Sequence, residues 1–109
     1  MVIPIYTTSR VIGSLIQAQL EGLATGEVFD SLPTSDIPQG IVILTWEDFE
    51  YGEIKAFMEA RESTKKTLVI CSPSDLYEVK ACSSQWLWEY MSKPFTKEDL
   101  QQGVRYLLA

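Results

Sequence analysis

The chain has 109 residues, enough for one core and too few for two, and 46% of them are hydrophobic, within the globular range. Nine Lys and Arg against 15 Asp and Glu give a net charge of -6, which opposes binding to phosphate backbones or anionic lipid. No histidine is present, so histidine phosphotransfer and Ser-His-Asp or Cys-His catalysis are excluded within this chain.

Residues 2 to 6 (VIPIY) are apolar and β-prone and read as a first strand, although Pro4 cannot donate to a ladder. Thr7, Thr8 and Ser9 supply a turn and a cap. Ile12, Leu15, Ile16, Leu20 and Leu23 then recur at helical spacing to about Ala24, with Gly26 placed as the C-terminal cap. Glu27 to Leu32 reads as a short strand, and PTSDIPQG as a turn-rich loop.

Gly40 to Thr45 is a continuous apolar run, the mark of a strand buried on both faces. A second helix is expected from Glu47 or Asp48, burying Ile54, Phe57, Met58 and Phe49, and ending in the polar segment Glu62 to Lys66. Its acidic start at Glu47, Asp48, Glu50 and Glu53 suits a helix N-terminus.

Thr67 to Cys71 is another buried strand, followed by a turn at Ser72 to Asp75 and a short helix marked by Leu76, Val79 and Cys82. Trp86 to Ser92 reads as the last strand, broken at Lys93-Pro94. Thr96 and Asp99 have capping-box spacing before a final helix carrying Leu100, Val104, Leu107 and Leu108.

Strands alternating with helices imply a parallel sheet covered on both faces. The expected fold is a single α/β domain over residues 1–109, with a flavodoxin-like five-stranded parallel sheet in the order 2-1-3-4-5. Only Pro33 to Gln39 separate the second and third strands, so the second helix of that fold is expected to be reduced or missing. That would uncover one face of the sheet unless the loop or a partner covers it.

Functional groups in such a sheet gather at the carboxyl ends of the strands. Here those ends carry Thr7, Thr8, Thr45, Ser72 and Lys93. The segment Tyr90-Met91-Ser92-Lys93-Pro94-Phe95 resembles the Lys-Pro-Phe signature of response-regulator receiver domains, and Val69 to Ser72 is similar to their fourth strand. The resemblance implies a cis Lys93-Pro94 bond. It also marks what is lost. Receivers end the first strand in two acidic residues that hold Mg²⁺, and the third in an aspartate that accepts phosphate. Thr7, Thr8 and Thr45 stand at those positions. Threonine hydroxyls cannot replace carboxylates toward Mg²⁺, and Thr45 is an unactivated hydroxyl. Asp48 lies four residues past Leu44 and would reach the site only by a shifted register.

Lys93 thereby loses its usual anionic partner. It either binds an anion or orders the loop before Pro94. Trp86, Trp88 and Tyr90 alternate as on one face of an edge strand, and with Phe95 they form the expected partner-binding surface; the alternative is packing under a helix. Cys71 and Cys82 fit no disulfide framework or metal pattern, and buried inert thiols outweigh a redox role. The glycines form no nucleotide fingerprint. No apolar run approaches a bilayer span and no signal peptide opens the chain, so a cytoplasmic location is expected.

The chain therefore reads as a degenerate, phosphorylation-independent pseudo-receiver, not an enzyme, with no cofactor and no metal. It would act in a two-component-type or related pathway by binding a kinase, a regulator or a second copy in a homodimer, without contacting nucleic acid or membrane. It could stand free or belong to a larger regulator or sensor kinase, Met1 favouring an N-terminal position. The alternatives are a small-anion or redox-sensing domain on the same fold, and a divergent receiver phosphorylated at Asp48.

Overall fold

The computed structural model describes residues 1–62 and 66–109. Five strands, β1 (Val2–Tyr6), β2 (Thr25–Phe29), β3 (Val42–Thr45), β4 (Thr67–Cys71) and β5 (Glu89–Ser92), form one parallel sheet in the order β2-β1-β3-β4-β5. Among the described residues four α-helices accompany it: α1 (Arg10–Gln19), α2 (Tyr51–Glu59), α3 (Leu76–Trp86) and α4 (Lys97–Leu108). This is the flavodoxin-like architecture expected from the alternation of elements. Among the described residues no helix lies between β2 and β3, also as expected.

Strand periodicity divides the core. Ile3, Ile5, Ile43, Leu68 and Ile70 face α1 and α4, where they meet Ile16, Leu20, Leu100, Val104 and Leu107. Val42, Leu44, Val69 and Cys71 face α2 and α3, against Ile54, Phe57, Met58 and Val79. Burying each of the larger side chains contributes about 1.5–3 kcal/mol. Pro4 sits inside β1, yet the β1–β3 ladder begins at Ile5, so no donor is missed there.

Several boundaries depart from expectation. First, α1 ends at Gln19 and the turn falls at Gly22, whose φ of 89° suits glycine. Gly26 is therefore not a cap. It lies in β2, where a Cβ would come within 2.5 Å of Ile5 Cδ1. Second, β2 occupies residues 25 to 29 rather than 27 to 32, because pairing with β1 sets its register and Leu32 turns away to pack on the α2 side.

Third, Trp86 to Trp88 do not belong to the last strand. α3 runs on to Trp86, and Leu87 closes it in the left-handed region with φ 59°. Trp86 and Trp88 are only 6% and 4% exposed. Trp88 Nε1 donates to the Val79 carbonyl at 3.1 Å, and its ring meets Trp46 edge to face at 5.8 Å. Burial of two indoles in the α2–α3 core outweighs the local strand pattern.

The segment that replaces a helix between β2 and β3 is tied down by Arg61. This side chain is 5% exposed, lies over the Phe57 ring, and donates to the carbonyls of Pro38 and Gly40. Gln39 adds bonds to the Glu62 N–H and the Ala60 carbonyl. α2 ends at Glu59, short of the polar segment Glu62 to Lys66 where its end was expected, and residues 63–65 of that segment lie outside the described residues.

Candidate functional site

The carboxyl ends of β1 and β3 bring Thr7, Thr8 and Thr45 together, as their strand positions require. What they surround is a carboxylate. Asp48 turns back toward the sheet and places Oδ2 2.6 Å from Thr7 Oγ1 and 3.1 Å from the Thr8 N–H. Thr45 Oγ1 also bonds to that oxygen, and lies 3.3 Å from the Tyr6 carbonyl. Three donors thus converge on one acceptor. Thr7 Oγ1 in turn accepts the Ser9 N–H at 3.1 Å, which fixes its proton toward Asp48.

Local structure explains the placement. Trp46–Asp48 form a 3-10 turn rather than the first turn of α2, and Phe49 is extended, so the chain breaks before the helix. The α2 cap falls to Glu50, whose N–H donates to Glu53 at 3.1 Å. Asp48, expected at a solvated helix start, instead joins the site. Burial pushes its carboxyl up, but the hydrogen bonds from Thr45, Thr7 and Thr8 outweigh that and hold it below its ordinary value.

Lys93 and Ser72 stay apart from this cluster. Lys93 Nζ pairs with Glu47, so the lysine keeps an anionic partner supplied by the chain itself. Its backbone N–H donates to the Cys71 carbonyl at 2.8 Å, just before a cis Lys93-Pro94 bond, the isomer the resemblance implied. Ser72 Oγ donates to Asp75 at 2.9 Å within its own turn. Among the described residues, no three His, Cys, Asp or Glu side chains are grouped to hold a metal.

The thiols offer little chemistry. Burial, with Glu47 and Asp75 nearby, pushes the Cys71 thiol up, and burial does the same for Cys82. Neither is in a disulfide.

Of the four aromatics expected to meet a partner, Trp86 and Trp88 are core side chains and Phe95 is buried against α4. Tyr90 remains half-buried on β5. The alternation that suggested a common face was not a strand. Arg61 was missed, because a lone arginine at a helix end gives no sign that it will be buried. No helix among the described residues is long and apolar enough to cross a membrane.

No family model and no curated protein matches the chain. Solved structures do. A response regulator receiver protein from Pseudoalteromonas atlantica superposes with a TM-score of 0.72 at 20% identity, covering 99% of this chain and 97% of that one. The ChxR receiver domain from Chlamydia trachomatis gives 0.66 at 12% identity, with coverage of 99% and 98%. An adenylate cyclase from Rhodopirellula baltica gives 0.71 at 12% identity, with coverage of 97% and 88%. At these identities the likeness is one of fold.

Proposed function

We propose that this chain is a phosphorylation-independent pseudo-receiver that acts in two-component-type or related signalling by docking to another protein. The observation that carries the proposal is the Asp48 carboxylate seated among Thr7, Thr8 and Thr45. Those donors would otherwise be available to a phosphoryl oxygen. Here the chain supplies its own anion, and Glu47 does the same for Lys93. The receiver structures among its likenesses support the signalling class.

The chemistry runs against phosphoryl transfer. An aspartyl nucleophile needs a free carboxylate oxygen in line with the donor and a metal to neutralise the transferred group. Asp48 Oδ2 is committed to three donors, and these hold the carboxylate in place so that only Oδ1 is left to attack. The β1 end itself carries Thr7 and Thr8 rather than a pair of carboxylates. The same hydroxyls, already bonded to Asp48, are poor ligands for a free small anion.

One rival has a specific observation behind it. Asp48 does reach the site, so a divergent receiver phosphorylated there is the second reading. Incubation with acetyl phosphate and Mg²⁺, followed by intact mass spectrometry, separates the two. The proposal expects no adduct. A phosphoryl adduct that disappears in Asp48→Asn overturns it.

A further inference from the structure

The missing helix leaves a groove with its own chemistry. The register pairs Pro4 with Glu27 and Tyr6 with Phe29, so these four share the sheet face opposite Ile3 and Ile5. A helix between β2 and β3 would cover that face. Instead the 30–40 segment runs beside the strands and leaves a cleft of about 360 Å³.

Its floor is aromatic. Phe29, 40% exposed, stacks at 5.6 Å on the buried Tyr6 ring, with planes 29° apart, so Tyr6 backs Phe29 and Phe29 presents the accessible face. Pro33 and Pro38 are rigid walls, and exposed Glu27 and Asp36 stand at the rim. Among the described residues no lysine or arginine lines the cleft. Arg61 lies buried behind Pro38, bonded to the Pro38 and Gly40 carbonyls.

The exposed Phe29 ring below and the carboxylates of Glu27 and Asp36 at the rim suit a planar cation. A guanidinium stacks on rings and donates in a fork to carboxylates, and it sheds water more readily than an ammonium. Nucleic acid and anionic lipid would be repelled by the rim. A second copy is disfavoured because both chains carry a charge of -6.

We propose that this groove docks an arginine side chain presented by a partner protein. The inference rests on the docking function above and names the surface and the partner chemistry. The groove adjoins the strand-end site, since the Thr7 N–H donates to the Phe29 carbonyl at 3.0 Å.

The test is a heteronuclear NMR titration of the ¹⁵N-labelled chain with the peptide acetyl-Gly-Leu-Arg-Leu-Gly-amide. A matching peptide carries citrulline, a neutral isostere, in place of arginine. Saturable shifts are expected at the amides of Tyr6, Glu27, Phe29 and Asp36, and are expected to vanish with citrulline. Combining Glu27→Gln and Asp36→Asn should weaken binding about fivefold or more. Both side chains are exposed, and unchanged peaks elsewhere report an intact fold. Absence of saturable shifts, shifts centred at another acidic patch such as Glu47 to Glu53, or affinity unaltered in the double variant would overturn the proposal. So would the same shifts on raising protein concentration alone, which would assign the groove to a second copy. An Asp48 phosphoryl adduct would defeat the phosphorylation-independent reading without moving this titration, so the two failures are distinguishable.

Discussion

Beyond β3 the sheet is sealed on both faces, with α4 on one side and α2 and α3 on the other, and β4 is buried along its whole length. At β1 and β2 one face has α1, while on the other only Tyr6 reaches α2, through Phe57, and a loop covers the rest; Val2 is 58% exposed. In the sealed half Trp46, Phe57, Trp86 and Trp88 go into packing, while Tyr51, Tyr77 and Tyr106 stay exposed on the outer helix faces. The open half keeps the exposed Phe29 ring and two carboxylates, Glu27 and Asp36, that form no ion pair among the described residues. The contrast teaches where binding capacity remains: groups satisfied internally cannot be offered to a partner.

The sharpest break of this comparison is a pair of aromatic truncations. Trp88→Ala in the sealed half should cost about 3–5 kcal/mol, whereas Phe29→Ala in the open half should cost about 1 kcal/mol. Urea denaturation midpoints measure both. Similar losses would mean that the halves are equally packed.

Arg61→Ala comes next, at about 2–3 kcal/mol, because it leaves carbonyls of the loop without a donor. Hydrogen exchange should show the 30–40 region opening first. Arg61→Lys keeps the charge but not the fork, and should recover only part of the loss.

Asp48→Ala should cost about 1–2 kcal/mol by leaving Thr7, Thr45 and the Thr8 N–H without their acceptor. The effect depends on pH with a definite sign. The folded carboxyl lies below its ordinary value, so its contribution is complete above the unfolded value and is lost as pH falls through the folded one. The stability gap between the native chain and Asp48→Asn should therefore narrow in acid. A gap that widens there would refute the hydrogen-bonded carboxylate.

Lys93→Met should have the smallest effect, below about 1 kcal/mol, because its pair with Glu47 is partly exposed and screened by solvent. A larger loss in thermal unfolding would show that the pair organises more than the loop before Pro94.

Much of the strand-end site could be read from residue types alone. Thr7, Thr8 and Thr45 end their strands because the apolar runs before them end there. Their convergence was implied once the strands were parallel and adjacent. The fate of Asp48 was not implied, since it depends on a 3-10 turn and an extended Phe49 that no local pattern announces. Ser72 and Lys93 were rightly placed at strand ends, yet their partners are Asp75 and Glu47 rather than one another.

By itself the sequence determined the alternation of strands and helices, the parallel sheet, the Thr96–Asp99 cap and the absence of a helix before β3. Each of these follows from short-range period, capping chemistry or chain length. Tertiary structure alone decided that Trp86 and Trp88 would be buried, that Arg61 would clamp a loop, and that Asp48 would fill the site. Those outcomes depend on which surfaces meet across the fold, and the energy of burying an indole, a guanidinium or a carboxylate is set by neighbours far away along the chain.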